Sequence, residues 1–308
     1  MSKTIENPDM RFWWLTQDNT FEEVNLMLYT SPNNPLTFKL DDNVRQKFLS
    51  HGFDPNRPTK IFAHGFTDSG SNYCPPFIKA YAASGWDVNL ICVDWSAYAD
   101  FDWPIYVRAA ENAVKVGKVV GQKVVSKLLI KKLKQNPKLI HAIGHSLGAH
   151  VVGNIGKHSG QKIGRITGLD PARVYFENWA HVHERLLRTD ADFVDVIHTN
   201  SGHIHEGCLT MDWNVGHVDF FPNGGKHMPG CTDKHPSFWE MHWDFYQTVA
   251  GLMSTQCSHG RANSYYAESI EHRKDARTYF ASQRCAGYQN QCDPNDQLPM
   301  GENLRAEM

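Results

Sequence analysis

The amino-acid sequence predicts an α/β fold in which a mostly parallel sheet is covered by helices on both faces. Short apolar runs rich in β-branched residues alternate along the chain with longer segments that have helical spacing. No repeat, heptad tract or Gly/Ser-rich linker divides the 308 residues, a length within the range of one α/β domain. We therefore predict a single domain over residues 1–308, with ligands bound at the carboxyl ends of its strands.

Five apolar runs are predicted as the strands of this sheet: residues 60–63, 89–93, 138–143, 165–169 and 193–197. Residues 107–133, between the second and third runs, carry Val, Leu and Ile at helical spacing and are predicted as a crossover helix. This helix is rich in lysine but has no interleaved aromatic residues. We therefore interpret its lysines as a solvated face and not as a nucleic-acid site.

Composition narrows the classes of partner. The 31 basic and 33 acidic side chains leave a formal net charge of −2, so no nucleic acid or other polyanion is expected as a partner. No apolar run approaches the roughly 18 residues of a transmembrane helix. The polar start of the chain lacks the apolar segment of a secretory signal, so no signal peptide is visible in this sequence.

Four of the seven cysteines bracket short segments, and two local disulfides are predicted from them: Cys231 with Cys257, and Cys285 with Cys292. Cys92 lies inside a predicted strand, where a buried free thiol is expected. Cys74 and Cys208 are left open between pairing with each other and remaining free. This pattern favours an oxidising, extracellular environment.

Residues 144–148, Gly-His-Ser-Leu-Gly, form a G-x-S-x-G motif between a predicted strand and a helical stretch at 149–157. In this strand–turn–helix context the two glycines permit the sharp turn that presents a nucleophilic serine at the top of an α/β-hydrolase sheet. The adjacent helix N-terminus favours developing negative charge. We therefore predict an α/β-hydrolase fold with Ser146 as the nucleophile, against the alternative of an ordinary strand-to-helix turn.

A serine nucleophile needs backbone donors for the oxyanion that forms when it attacks a carbonyl. An apolar strand ending in His64-Gly65-Phe66 stands where this fold supplies one donor, and the residue after the nucleophile supplies the other. The oxyanion hole is therefore assigned to the amides of Phe66 and Leu147. His64 is interpreted as a structural histidine without a role in proton transfer.

The acid of such a site follows the serine in sequence. Asp170 comes directly after the apolar run 165–169, and Pro171 fixes the exit of the chain there. At the end of the next strand the corresponding place is held by the neutral Asn200. Asp195 lies inside that strand, where a structural pair is expected. Asp170 is therefore the predicted orienting acid.

The base must follow the acid, and the 17 histidines of the sequence are separated by position. His259 sits two residues after Cys257, so a disulfide-pinned loop beside the site would hold its imidazole steadily. We predict His259 as the base, with His217 as the competing candidate.

From residue 12 to residue 300 the sequence resembles the pancreatic lipase family of secreted lipases and sn-1 phospholipases. The matching segments are residues 62–66, 92–95, 144–150, 167–172, 190–199, 216–225 and 228–231. Position by position, the resemblance places the family's nucleophile, acid and base on Ser146, Asp170 and His259, and its oxyanion donors on Phe66 and Leu147. It also implies that residues 231–257 form a lid, closed by Cys231 and Cys257.

The implied lid reads as an amphipathic helix, because its aromatic and aliphatic residues share one broad face. These residues are Phe238, Trp239, His242, Trp243, Phe245, Tyr246, Val249 and Leu252. A helix packed on the core is the structural alternative. A mobile lid would cover the site in water and bind lipid when open.

Two departures from the family limit the resemblance. Residues 185–190 resemble the family's calcium loop, but Leu187 stands where an acidic ligand is expected, so no cofactor is expected and calcium binding is doubtful. A C-terminal β-sandwich is not part of the 308 residues, so a colipase-type partner docking through it is not implied.

The resemblance therefore implies a secreted serine ester hydrolase that acts on lipid at an oil–water or membrane interface. The 25 residues between Cys231 and Cys257 match a full-length lid and favour triacylglycerol as the substrate. An sn-1 phospholipase, a non-catalytic lipid-binding or storage protein, and a cytoplasmic esterase are the alternatives.

Overall fold

A computed structural model describes residues 23–39, 44–99, 105–203, 206–233, 257–274, 280–285 and 292–305. Eight strands form the central sheet: β1 Asn25–Tyr29, β2 Pro35–Lys39, β3 Thr59–Ala63, β4 Asn89–Asp94, β5 Ile140–His145, β6 Arg165–Leu169, β7 Phe193–Ile197 and β8 Val218–Phe220. Their order is β2-β1-β4-β3-β5-β6-β7-β8. Strands β3 to β8 run parallel, and β1 pairs antiparallel with both β2 and β4.

The five predicted strands are confirmed as β3 to β7, with ends that differ by at most two residues. Every residue of β3, β5 and β7 is buried, because helices cover both faces, and such strands read as continuous apolar runs. The sequence did not reveal β1, β2 or β8. Strands β1 and β2 are only partly buried and β8 has three residues, so none of them gives a long apolar run.

Six α-helices are described: α1 Val44–Ser50, α2 Gly70–Tyr73, α3 Pro75–Ala83, α4 Ile105–Val120, α5 Leu147–His158 and α6 Cys257–Glu271. Helix α4 continues as a π-helical stretch over Gly121–Lys132, so the crossover helix predicted at 107–133 is present. Its exposed lysines include Lys115, Lys118 and Lys123. One hydrophobic cluster packs α1, α4 and α5 on one face of the sheet, and a second packs α3 and α6 on the other.

Two glycines allow α4 and its π-helical continuation to cross closely over α5. A Cβ on Gly117 would lie 2.4 Å from the Val151 carbonyl oxygen, and one on Gly121 would lie 2.7 Å from that of Ile155. Any side chain at either position would force the two helices apart. The crossing fixes the helix that begins directly after Ser146.

Three disulfides are described. Cys231 pairs with Cys257, and Cys285 with Cys292, as predicted; the second bond joins the antiparallel strands β9 Phe280–Cys285 and β10 Cys292–Met300. The expectation of a free thiol at Cys92 is wrong, because this residue pairs with Cys74. Cys92 points from β4 into the cluster under α3, where Cys74 precedes that helix. Cys208 is buried and free.

Residues 234–256, which make up most of the predicted lid, lie outside the described residues. The structure describes only the start of this loop at residues 231–233 and its closing Cys257. None of the described helices is long and apolar enough to cross a membrane.

Candidate active site

Ser146 occupies the sharp turn between β5 and α5. Its backbone has φ 56° and ψ −121°, a conformation that non-glycine residues rarely adopt. A Cβ on Gly144 would lie 2.1 Å from the Gly148 carbonyl oxygen, and one on Gly148 would lie 2.2 Å from that of Ala63. Both motif glycines are therefore required for the turn, as the sequence indicates.

Backbone hydrogen bonds fix this turn at the carboxyl end of the sheet. The Ser146 amide donates to the Leu169 carbonyl at 3.0 Å, and the Ser146 carbonyl accepts from the Ala172 amide at 3.3 Å. Ser146 itself is 2% exposed, and its Oγ makes no hydrogen bond to the described residues. The backbone of the turn is therefore fixed, while no hydrogen bond from the described residues orients the hydroxyl.

Asp170 follows β6 at the same end of the sheet and is completely buried. Its Oδ2 lies 2.8 Å from His259 Nδ1. Its Oδ1 accepts hydrogen bonds from the Thr199 amide at 2.8 Å, the Asn200 amide at 3.1 Å and the Thr210 hydroxyl at 2.8 Å. The two oxygens therefore have separate partners, and one is left entirely to the imidazole.

The charge state of Asp170 follows from these contacts. Burial alone raises the pKa of a carboxyl group, but the hydrogen bond and charge of His259 and the donors from Thr199 and Thr210 outweigh it, so the pKa of Asp170 is lowered. An ionised carboxylate only accepts, so His259 Nδ1 carries the hydrogen. In the neutral ring Nε2 then has the lone pair that a general base needs.

His259 is the third residue of α6, and the two residues before it are both fixed by contacts with residues 228–233. The disulfide between Cys231 and Cys257 closes the preceding chain. The neighbouring Ser258 donates its amide to Asp233 at 3.0 Å and accepts at its hydroxyl from the Met228 amide at 2.8 Å. The Nε2 atom of His259 is buried and has no hydrogen-bond partner among the described residues.

His145 is a site residue that the sequence analysis did not single out. Its ring centroid lies 4.3 Å from that of His259, and its Nε2 donates to the His259 carbonyl at 3.0 Å. Burial and then the charge of His259 lower the pKa of His145 to about 3. This neutral ring therefore packs against the candidate base. Because the motif leaves position 145 unspecified, no sequence signal pointed to it.

Phe66 and Leu147, whose role as oxyanion donors stays a prediction, both lie next to the serine turn. Leu147 is the first residue of α5, so its amide belongs to the positive end of the helix. Phe66 follows the His64–Gly65 turn, and its ring meets that of Tyr106 edge-on at 5.5 Å. A Cβ on Gly65 would lie 3.0 Å from the Ser146 Cβ, which brings this turn against the serine.

His64 shapes that turn. Its Nε2 accepts from the Trp95 amide at 3.0 Å, so its Nδ1 is the donor to the Gly65 carbonyl at 2.8 Å. The Trp95 indole donates to the His64 carbonyl at 2.9 Å. Both ring nitrogens are thus occupied inside the protein, which agrees with a structural histidine.

The competing candidates lie elsewhere. His217 accepts from the Val194 amide at 3.0 Å near the start of β7, the opposite end of the sheet from Ser146. Asp195 forms two hydrogen bonds with Arg165, at 2.7 and 2.9 Å, and is a structural pair as expected. Among the described candidates, only Asp170 and His259 are brought together beside the serine turn.

The chain is similar to known proteins over most of its length. A family model described as Lipase matches residues 4–305. The chain belongs to the lipase family. This confirms the resemblance inferred from the sequence motifs.

Relatives of this lipase-family chain include pancreatic triacylglycerol lipase of Oryctolagus cuniculus, 36% identical over 94% of the chain and 60% of the relative. Pancreatic triacylglycerol lipase of Cavia porcellus is 36% identical over 92% of the chain and 60% of the relative. Pancreatic lipase-related protein 2 of Sus scrofa is 35% identical over 95% of the chain and 60% of the relative. The chain thus spans about 60% of the length of these relatives.

Solved structures similar to the chain include an esterase of Thermogutta terrifontis, which is 15% identical, with a TM-score of 0.31 over 57% of the chain and 66% of the esterase. The sheet order, the strand–turn–helix geometry at Ser146 and the family membership together show an α/β-hydrolase fold.

The loop 185–190, which resembles the calcium loop of the family, binds the ammonium group of Lys157. Lys157 donates to the Arg185 carbonyl and to Asp190 Oδ2, each at 2.7 Å. The Leu187 amide donates to the same Asp190 oxygen at 2.8 Å, and the Leu187 side chain offers no oxygen. The described residues contain no group of three or more His, Cys, Asp or Glu that could hold a metal ion. This donor set does not fit calcium.

Proposed function

We propose that this lipase-family chain is a serine carboxylic ester hydrolase in which Ser146, Asp170 and His259 act as a triad. The 2.8 Å hydrogen bond between Asp170 and His259, beside the turn that carries Ser146, supports the proposal most directly. That bond fixes the tautomer in which His259 Nε2 can accept a proton from the serine hydroxyl.

In this mechanism Ser146 Oγ attacks the ester carbonyl carbon while its proton passes to His259 Nε2. Asp170 stays ionised and stabilises the imidazolium that forms. The amides of Phe66 and Leu147 donate to the oxyanion. The alcohol leaves with the proton from His259, and the acyl group stays on Ser146 Oγ. Water then gives a proton to His259 Nε2 and attacks the acyl carbonyl carbon. The fatty acid leaves as the bond to Ser146 Oγ breaks, and His259 returns the proton to the serine oxygen.

We further propose that the substrate is a triacylglycerol presented at a lipid–water interface. The relatives named triacylglycerol lipase support this substrate class, and so does the amphipathic pattern of the predicted lid between Cys231 and Cys257. A secreted location agrees with the three disulfides.

The decisive experiment measures fatty-acid release from emulsified triolein, with phosphatidylcholine assayed in parallel. Ser146→Ala should lower the rate by about 10⁴-fold or more, because the nucleophile is removed. Ser126→Ala is the matched control on the π-helical stretch and should match the wild type.

Equal rates for wild type and Ser146→Ala would contradict the proposed reaction. Faster release from phosphatidylcholine than from triolein would contradict only the proposed substrate.

A further inference from the structure

Trp179 has an unusual environment for a tryptophan. It is 91% exposed, whereas the other exposed large hydrophobic residue in the described part of the chain, Leu49, is 38% exposed. Tryptophan is normally well buried because its large apolar surface is costly to hydrate. An indole this exposed is free to contact a surface outside the described chain.

The segment that carries this indole is held firmly by its own contacts. Asn178 accepts from the Ala180 amide at 3.0 Å and so caps the 3-10 turn at Trp179–His181. The His181 ring stacks on Tyr175 at 3.8 Å. Both of these side chains also bond Glu184, at 2.8 and 3.0 Å. We call residues 178–183 the Trp179 tip.

The base of this segment is attached to the candidate active site. The Ala172 amide donates to the Ser146 carbonyl at 3.3 Å. Two residues further, the Val174 carbonyl accepts from the Tyr106 hydroxyl at 3.3 Å, and the Tyr106 ring packs on Phe66. The chain that leads into the tip is therefore attached to the serine turn and, through Tyr106, to Phe66. The chain that leaves the tip is attached to α5, where the Glu184 carbonyl accepts from the Asn154 side-chain amide at 2.6 Å.

The composition of the tip indicates what it contacts. Residues 178–183 read Asn-Trp-Ala-His-Val-His and contain no Asp, Glu, Lys or Arg, although Glu177 and Glu184 flank them. An uncharged tip suits a surface without net charge. Tryptophan in particular favours the boundary between lipid headgroups and acyl chains, because its ring is apolar and its N–H is polar.

We propose that the Trp179 tip inserts its indole into the surface of a neutral or zwitterionic lipid aggregate and so helps to hold the protein on that surface. This inference rests on the proposed function for the nature of the substrate. Binding of the tip to lipid is, however, a separate event from hydrolysis. The described structure thus supplies an interfacial contact outside the predicted lid.

The test measures binding in the Ser146→Ala background, so that hydrolysis plays no part. Co-sedimentation with phosphatidylcholine vesicles should weaken by about tenfold when Trp179→Ala is added, which corresponds to loss of one inserted indole. Leu49→Ala is the matched control at the other exposed apolar residue and should bind as before. Thermal unfolding should be unchanged in Trp179→Ala, because the indole is 91% exposed, and should change little in Leu49→Ala, because this leucine lies at the surface.

A second measurement locates the indole directly. Quenching of tryptophan fluorescence by brominated phosphatidylcholine should fall in Trp179→Phe, which keeps an apolar ring on the tip but removes this indole. Undiminished vesicle binding by Trp179→Ala would overturn the inference. So would a Trp179→Ala variant that changes only self-association in light scattering, since the tip would then contact a second copy of the chain.

Discussion

At Asp170 the carboxylate is divided between the protein and the base. One oxygen is saturated by donors from residues 199, 200 and 210, and the other faces His259. A carboxylate held this way cannot rotate, so its orientation determines the orientation of the imidazole. This rigidity explains why a backbone φ of 49° is tolerated at Asp170.

Asp170→Asn should therefore lower kcat by about 10⁴-fold while leaving the fold intact, because an amide can stabilise the wrong tautomer of His259. Steady-state hydrolysis of a short soluble ester measures this effect without the lipid interface. Asp192→Asn, which changes a surface carboxylate paired with Lys138, is the control. A loss of less than tenfold would show that Asp170 does not orient the base.

The sequence predicted residues whose position follows from a strand end or a motif. Ser146 and Asp170 each follow an apolar run, and His259 follows a cysteine of a local disulfide. His145 and Thr210 were missed because their roles depend on which side chains meet in three dimensions. The packing of the His145 ring on His259 joins residues 114 positions apart, and no spacing rule encodes that contact.

At the scale of elements, the loop 185–190 is joined to the end of α5 by Lys157. The lysine is 18% exposed and Asp190 is 2% exposed at the side chain. Burial raises the pKa of Asp190 and lowers that of Lys157, so desolvation outweighs their attraction. Removing one partner would leave the other charge buried and unpaired. We propose that this ammonium group replaces a calcium ion and that the loop is calcium-independent.

Lys157→Met should destabilise the protein by about 3 kcal/mol, because Asp190 loses its counter-charge. Adding Asp190→Asn should recover part of this loss, since the amide oxygen can still accept from the Leu187 amide. Lys138→Met, which breaks an exposed pair, should cost less than about 1 kcal/mol. Differential scanning calorimetry of these variants measures the differences.

The same calorimetry with wild type tests the absence of a calcium requirement. The Tm should be equal in calcium chloride and in a chelator. A saturable rise of the Tm with calcium would contradict the proposal.

Strands and helices that are buried on a broad surface are the elements that can be predicted from the sequence. Strands covered on both faces and the long crossover helix were evident as apolar patterns. The antiparallel strands β1 and β2 alternate between less and more exposed residues, and their assignment needs the pairing of β1 with β4 and of β2 with β1. The disulfide between Cys74 and Cys92 depends on a strand and a helix meeting across the second hydrophobic cluster, which the sequence does not specify.

For the whole molecule, three buried histidines set the response to acid. Burial is the largest cause of a lowered pKa at His141, His145 and His150, which falls to about 3 for the last two. In the unfolded chain their pKa would be about 6.5. Below that pH the unfolded state binds more protons than the folded state, so stability falls as the pH falls from about 6.5 towards 3.

The free energy of unfolding should therefore decrease below pH 6.5, approaching about 4 kcal/mol per pH unit where all three histidines are protonated only in the unfolded chain. Urea unfolding at a series of pH values from 7.5 to 4.5 measures this slope. His150→Gln should reduce this slope by about one third, because one of the three histidines is removed. The glutamine amide can replace the hydrogen bonds of His150 to the Ala172 carbonyl and the Leu186 amide. A stability that does not change between pH 6.5 and 4.5 would contradict the expectation.

The disulfide between Cys231 and Cys257 makes the position of the candidate base depend on the oxidation state of these two cysteines. His259 lies two residues beyond this bond, and the Cys231 side also carries Asp233, which holds Ser258. While both thiols are reduced, the base lacks one of the two constraints that place it. A newly synthesised chain would therefore acquire full catalytic geometry only after oxidation.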